Sequence, residues 1–499
     1  MEQLAFFKTP IDNYFVDNFS ANQLCSEKER QKLEKKYSQY LEVTEKFNRQ
    51  SVSYQLSKND VLHSWLKYKE GFSATLVNML LDEMEAVPGD LVMDPFMGSG
   101  TTGLVCQMRG INSIGYDIMP IADVSIKAKA ACTQYNLDEL RELLKSVNDL
   151  VVPSDYNTKT PYISITQYAY PEETEIFLQY ISDWRDHSDF SSLAKNLLTL
   201  CIINSLERIS YTSKAGQYLG WDSRSKKIQE ANKQRKEKGQ KLLPKKYVRA
   251  EILSAKETIV SELEHVIEDI ATIQRNSPEY DTAHINYVAN SVLFEIPKLP
   301  SEILTGVITS PPYCNRYDYT RTYALELVYL GSDDDGIKQM RQKLLSCTVE
   351  NKSKIDELKS FYESIGEIDR FNYTYSKIKE NNAFFEIMEA LRARKENGDL
   401  NNNGVIRMVE GYFTELAFIY AELYRICKPG AMVAFVNDNV RYGGEVIPVD
   451  FLSSSFAEQF GFKIKTIYAL KQQKGNSSQQ MAKYGRVALR KSITVWSKD

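Results

Sequence analysis

Histidine and cysteine are scarce in this chain of 499 residues. Its four histidines stand far from one another and from the seven cysteines (Cys25, Cys106, Cys132, Cys201, Cys314, Cys347, Cys427), which are odd in number and include no close pair. Scattered cysteines, odd in number, disfavour a disulfide framework, and the lack of closely spaced Cys or His pairs disfavours a zinc site, so no metal ligand is assigned. No run approaches 18 apolar residues, and the opening MEQLAFFKTP has no basic start followed by an apolar stretch. The expectation is a soluble, cytoplasmic chain with no membrane partner. Strong charge of one sign is also missing: 62 Lys and Arg face 66 Asp and Glu, a net of −4, so any nucleic-acid surface must be local. What is present is a globular composition, 43% hydrophobic and 26% charged. At this length it fits either one enlarged domain or two to three separate ones.

The first 60 residues carry a charged helical stretch, SEKERQKLEKKYSQYLEVTEKFNRQ, whose thin apolar spacing predicts a solvated helix or arm. From Phe72 a helical pattern, SATLVNMLLDEM, leads through the turn at 88–90 into the apolar run Leu91 to Met93. DPFMGSGTTGLVCQMRG then reads as a glycine-rich turn and helix, and INSIGYD as a second strand closing on an acid, the start of a βαβ unit. Residues 123–280 read mostly helical. Within them, Asp222 to Arg249 holds eleven Lys or Arg against three acids, either a solvated surface loop or a nucleic-acid contact. GVIT (306–309) is strand-like. A second insertion, 331–403, ends in NGDLNNNG, expected to be a mobile loop. An amphipathic helix stopped by Lys428-Pro429-Gly430 precedes the strand AMVAFV, followed by a helix (VDFLSSSFAEQFGF) and two strands, KIKTIYAL and SITVW. The last two strands are expected to form an antiparallel edge on a parallel sheet.

Two motifs carry chemistry. In DPFMGSGTTG, Gly98, Gly100 and Gly103 have the spacing of a turn whose bare backbone N–H groups meet a ligand at a helix N-terminus, and Asp117 ends the next strand where a carboxylate would accept ribose hydroxyls. A dinucleotide oxidoreductase or an unliganded turn would read alike. The lack of a lysine after the glycines disfavours a P-loop ATPase. The second motif is Thr309-Ser310-Pro311-Pro312-Tyr313 after a short strand. The two prolines leave carbonyls without neighbouring N–H donors, so a carbonyl and the Ser310 hydroxyl can face one amino group while Tyr313 stacks on a flat ring. That set suits a base extruded from a duplex.

Together these motifs resemble the amino-directed DNA methyltransferases, which combine a DPFxGxGTT turn with an (S/D/N)PPY turn. HSWLKYKEGFSATLV (63–77) is similar to that family's upstream cofactor motif, with Phe72 and Ser73 at its Phe-Ser positions. Asp94, Phe96, Gly98 and Gly100 match the main cofactor turn, Asp117 the ribose acid, and Ala289-Asn290-Ser291 the motif lining the adenine, with Asn290 where Asp is commoner. The resemblance implies an α/β, Rossmann-like methyltransferase sheet with a terminal antiparallel hairpin and large helical insertions, S-adenosylmethionine as cofactor and double-stranded DNA as substrate. It implies catalysis by Ser310, Pro311, Pro312 and Tyr313, and admits a cognate restriction endonuclease or a defence-system partner. The expected parts are an N-terminal helical arm (1–60), a cofactor-binding half (61–124), a helical insertion for target recognition (125–284), a catalytic segment (285–330), a second insertion (331–410) and a C-terminal part (411–499). Oligomeric state is not legible.

Ser before Pro-Pro-Tyr is similar to the N4-cytosine members, whereas adenine N6 members more often carry Asp or Asn. Cys314, with NDNV (437–440), Gln479, Gln480 and Arg486, faintly resembles the cytosine ring-carbon enzymes, but the cysteine stands two residues past the last proline. Cytosine N4 is favoured, with adenine N6, cytosine C5 and a non-enzymatic DNA-binding module as alternatives. Arg316, in the alternating charged and aromatic run 315–321, is expected to grip DNA. So are Lys226, Lys227, Lys245 and Lys246 of the basic segment, and Lys474 and Arg486 of a late loop (471–491) whose charges are all basic.

Overall fold

The computed structural model describes residues 14–48, 50–215, 218–276, 283–471, 481–485, 487 and 489–499. The strands among them are β1 (Leu41–Thr44), β2 (Leu91–Asp94), β3 (Asn112–Tyr116), β4 (Thr212–Ala215), β5 (Tyr218–Trp221), β6 (Ile285–Val288), β7 (Leu304–Thr309), β8 (Cys427–Asp438), β9 (Val440–Tyr442), β10 (Glu445–Ile447), β11 (Lys463–Leu470) and β12 (Lys491–Ser497). Eight form one sheet in the order β6-β3-β2-β7-β8-β12-β11-β1. From β6 to β8 every neighbouring pair is parallel. Strand order reverses at β2, whose chain successor β3 lies on one side and β7 on the other. In an open α/β sheet that reversal leaves a crevice at the carboxyl ends of the two central strands.

The local signals explain these elements. Ser73 caps the helix Ala74–Glu83, accepting the Leu76 N–H, and the apolar run LVMD is buried as β2. Helix Gly404–Ile426 and helix Val449–Phe460 build the largest apolar core with Trp496. Helices Leu137–Asp149, Ser192–Ser205 and Ala255–Asn276 of the long insertion build a second core, which also takes in Tyr68, Met97 and Tyr323 beside the crevice. No helix of the described residues is long and apolar enough to cross a membrane.

Four expectations need correction. The charged N-terminal stretch is not a solvated arm: helix Lys28–Tyr37 buries Arg30 between Glu386 (3.1 Å) and Glu445 (2.8 Å), and β1 lengthens the sheet beside β11. Buried ion pairs do there what a broad apolar stripe would otherwise do. The final antiparallel pair is present but is not the edge, since β12 inserts between β8 and β11 and β1 closes that side. NGDLNNNG is anchored by Asp399, which is buried and paired with Arg394 and Lys483. In the late loop, Arg490 is buried against Glu34 (2.6 Å) and Asp450 (2.9 Å), so it is a core ion pair and is not offered to phosphate.

Candidate active site

The ends of β2, β3, β6 and β7 meet at a cleft of about 810 Å3, counting its part open to solvent. Of the residues singled out by the sequence, Phe72, Asp94, Phe96, Gly98, Asp117, Asn290, Ser310 and Pro312 line it together. The glycine turn and the Ser-Pro-Pro-Tyr turn, 210 positions apart in the chain, thus face one space.

Asp94 joins the two turns. Its Oδ1 accepts the Thr309 hydroxyl at 2.6 Å and the Phe96 N–H at 3.0 Å, and its Oδ2 accepts the Thr102 hydroxyl at 2.7 Å. Thr309 immediately precedes Ser310, and Thr102 stands in the first turn of the helix Thr101–Met108, so one carboxylate ties β2, the cofactor-type helix and the catalytic-type turn. Burial pushes its pKa up to about 6 against the pull of these three donors. Asp117, half-buried at the end of β3, accepts the Gly98 N–H through Oδ2 (2.9 Å) and the Met119 N–H through Oδ1 (2.8 Å). Its pKa is also raised, by burial first, with these N–H groups opposing. Asn290 is exposed, its amide donating to Glu295 at 2.5 Å.

Two glycines have a steric requirement. Gly98 (φ +52°) passes so close to Tyr68 that a Cβ would stand 2.9 Å from its ring, and Gly100 (φ +92°) would bring one within 2.8 Å of Ile126. Gly100 therefore shapes the turn from behind and is not on the cleft wall. Ser73 is likewise off the wall: fully buried, it donates to the Ser51 carbonyl (2.8 Å) and caps its helix, holding Phe72 in place.

At the second turn, Ser310 donates its hydroxyl to the Tyr313 hydroxyl at 3.2 Å, and the Lys491 ammonium lies 5.2 Å from the centre of the Tyr313 ring. Pro311 is buried. Cys314 is in the core, its carbonyl accepting the Tyr442 hydroxyl at 2.7 Å, and burial pushes its thiol pKa far up. A thiol kept neutral and away from the cleft is no nucleophile, which removes the support for ring-carbon chemistry. Asn437, of the NDNV sequence, is also buried and donates to the Phe435 carbonyl.

Arg316 sits at φ +64° and donates to Asn401 at 2.8 Å. The basic segment contains the helix Lys226–Glu237. Its two ends meet where Ser223 N–H reaches the Lys246 carbonyl (2.8 Å). Lys226 lies over Tyr168 and Lys245 over Tyr247, while Lys227 stacks on Trp221 and donates to the Ser164 and Ile165 carbonyls. The root of this segment, β5, packs against the short helix Tyr319–Thr322 that follows the catalytic-type turn. Lys474 and Arg486, with Gln479 and Gln480, lie outside the described residues.

Sequence reasoning missed several wall residues. Tyr68 and Glu70 lie inside the quoted stretch 63–77 but were not singled out. Tyr68 stacks on Tyr323 (5.1 Å), whose hydroxyl donates to Glu70 at 2.5 Å. Tyr319 stood in a flagged run. Leu344 and Leu345, from the second insertion, had no signal at all.

A family model described as DNA methylase matches residues 2–126. The type II methyltransferase M.BsoBI of Geobacillus stearothermophilus is 50% identical over 486 residues, 97% of this chain and 95% of that protein. The type II methyltransferase M.AvaI of Anabaena variabilis is 36% identical over 473 residues, 93% of this chain and 92% of that protein. A shorter match, 40% over 87 residues, covers 17% of this chain and 15% of the type II methyltransferase M.MjaII of Methanocaldococcus jannaschii. With such identity sustained along almost its entire length, and with the glycine and Ser-Pro-Pro-Tyr turns opening on one cleft, the chain belongs to the amino-directed type II DNA methyltransferases, whose methyl donor is S-adenosylmethionine.

Proposed function

We propose that the chain methylates the exocyclic N4 amine of cytosine at a specific site in duplex DNA, as the modifying partner of a restriction or phage-defence system. The observation that supports this most is that Ser310 and Pro312 share a cleft with Gly98 and Asp117 while Asp94 hydrogen-bonds both turns.

The cleft residues fit the methyl donor. Three carboxylates (Glu70, Asp94, Asp117) and no Lys or Arg are among the lining residues, a charge balance suited to a cationic ligand, and Phe72, Phe96 and Val292 offer apolar surface for a purine. Asp117 would take the ribose hydroxyls, Asn290 and its neighbours the adenine edge, and the turn at Gly98 the polar tail. Ser73, Asp94 and Gly100 would hold these groups in place. When bound, S-adenosylmethionine supplies a methyl group on a positively charged sulfur.

The protein's own part is orientation. An exocyclic amine is a weak nucleophile because its lone pair is shared with the ring. The Ser310 hydroxyl and the Pro311 carbonyl would accept its hydrogens and free that lone pair, and Tyr313 would stack on the extruded base. No strong base is needed beforehand, since the nitrogen's proton becomes acidic only after methylation. Serine at the first position of the turn is similar to the N4-cytosine members of the family. Lys226, Lys227, Lys245, Lys246 and Arg316, with Lys474 and Arg486, would contact phosphates, and the insertion 125–284 would read the target. Mass spectrometry of nucleosides from DNA methylated by the purified protein tests the base. N4-methylcytosine is expected; N6-methyladenine would reassign the base, and 5-methylcytosine would overturn the chemistry.

A further inference from the structure

Helix Pro120–Ala130 leaves β3 just past Asp117, and it carries a fully buried lysine. Lys129 Nζ lies 3.3 Å from the Ser99 carbonyl oxygen, which also accepts the Ser125 hydroxyl at 3.2 Å. Among the described residues no carboxylate is within ion-pair distance of Lys129, and burial alone draws its pKa down to about 7. Its one charged or titratable neighbour of consequence is His63, also buried, whose two ring nitrogens have no hydrogen-bond partner among the described residues. Charged side chains on neighbouring elements are engaged elsewhere: Lys195 with the Asp186 carbonyl, Glu326 with Lys214, and Lys127 with Asp123 on the same helix.

This helix and its entry residue grip the glycine turn at three consecutive positions. Asp117 accepts the Gly98 N–H, Ser125 and Lys129 donate to the Ser99 carbonyl, and Ile126 fills the space behind Gly100. Ser99 itself lines the cleft. A carbonyl satisfied by one hydroxyl does not require a desolvated cation as well, and a buried lysine without a counter-charge costs stability relative to an apolar side chain of its length. A residue that costs the fold and whose hydrogen bond goes to the cofactor turn has a reason outside folding.

We propose that Lys129 is a positioning residue for the methyl donor: with Ser125 it ties the Ser99 carbonyl back toward the helix, keeps that acceptor off the cleft wall, and so fixes the turn in its binding conformation. The proposal rests on the cleft being the S-adenosylmethionine site, so Asp117→Ala is measured alongside. Calorimetric titration of the full chain with S-adenosylmethionine should show affinity falling about tenfold in Lys129→Met and about threefold in Ser125→Ala, the range of one hydrogen bond in each case. The double variant should fall by more than about thirtyfold, because two donors serving one acceptor cover for each other. Lys129→Met should melt no lower than the parent, and its KM for the methyl donor should rise more than its kcat falls. Parental affinity in Lys129→Met with weakened binding in Asp117→Ala overturns the role of Lys129 alone, whereas parental affinity in both overturns the cleft reading. A Lys129→Met protein that melts lower and loses kcat and affinity together marks a structural residue and also overturns it. Ser125→Ala removes only one oxygen and decides the matter if the methionine variant does not fold: unchanged affinity there refutes the tie on Ser99.

Discussion

Replacing Asp117 by alanine should weaken S-adenosylmethionine binding by at least an order of magnitude. In the structure each carboxylate oxygen already holds one backbone N–H, Gly98 at 2.9 Å and Met119 at 2.8 Å, and each keeps a further acceptor position. Two ribose hydroxyls can therefore be met without breaking the existing bonds. A hydrogen bond to a charged group is worth about 1.5–3 kcal/mol, and part of that loss is offset by water entering the vacated space, so one such bond is the working figure. That converts to about 10- to 150-fold in Kd. The two N–H groups also lose their acceptor, at a cost to the fold of about 1–2 kcal/mol for a half-buried site, so thermal melting must accompany the titration. Acidification offers a second reading. Burial raises the Asp117 pKa from its ordinary value, so on acidification the parent should begin to lose affinity at a higher pH than an exposed aspartate would allow, and Asp117→Asn should show a flatter dependence. A folded alanine variant with parental affinity by calorimetry would refute the assignment.

Ser310→Ala and Tyr313→Ala should each lower methyl transfer to DNA by about a hundredfold or more, while Cys314→Ser keeps substantial activity, as radiolabel transfer would measure. DNA carrying 5-fluorocytosine should form no covalent adduct with the protein, and an adduct that vanishes in Cys314→Ser would establish ring-carbon attack instead. Neutralising Lys226, Lys227, Lys245 and Lys246 should flatten the salt dependence of DNA affinity, by up to about 3 to 4 in the log-log slope, with cofactor binding intact; an unaltered slope would return the segment to a solvated face. Asp94 keeps its proton up to about pH 6 in the fold but ionises near pH 3.9 when unfolded, so the folded state binds more protons in between. Its contribution to stability should decline as pH rises across that interval, and urea unfolding at several pH values should show that part of the slope missing in Asp94→Asn.

The elements around the cleft were legible because their signals are local. Helical apolar spacing in SATLVNMLLDEM, glycines after a short apolar strand and the apolar run GVIT each dictate structure within a few residues, and the structure has helix, turn and strand there. Pairing order was less legible. Nothing in SITVW says that it slots between β8 and β11, because β12 meets both neighbours through backbone bonds that are indifferent to side-chain identity. The N-terminal segment misled for a different reason. Apolar periodicity measures hydrophobic burial, whereas Arg30 and Glu34 are buried by pairing with Glu386, Glu445 and Arg490, partners about 360 to 460 positions away.

The site shows the same division between chemistry and placement. Asp117 and Ser310 were readable because a carboxylate at a strand end and a hydroxyl before two prolines are unusual placements with few structural uses. Asp94 was read as a ligand contact, yet its two oxygens are engaged by Thr309, Phe96 and Thr102, so its chemistry is spent on holding two turns together. Composition alone could not separate those roles: a carboxylate that binds a ligand and one that binds two threonines differ only in what lies opposite, and Thr309 is 215 residues away. The basic segment illustrates the limit from the other side. Its charge was obvious in the sequence, but among its lysines Lys227 is occupied by Trp221 and two carbonyls, while Lys226 and Lys245 cover tyrosine rings. Cation–π contacts of this kind leave the ammonium able to take a phosphate oxygen, whereas the carbonyl contacts of Lys227 use its donors. The four lysines are therefore unequal, and within the neutralised set Lys227 should contribute least to the salt slope.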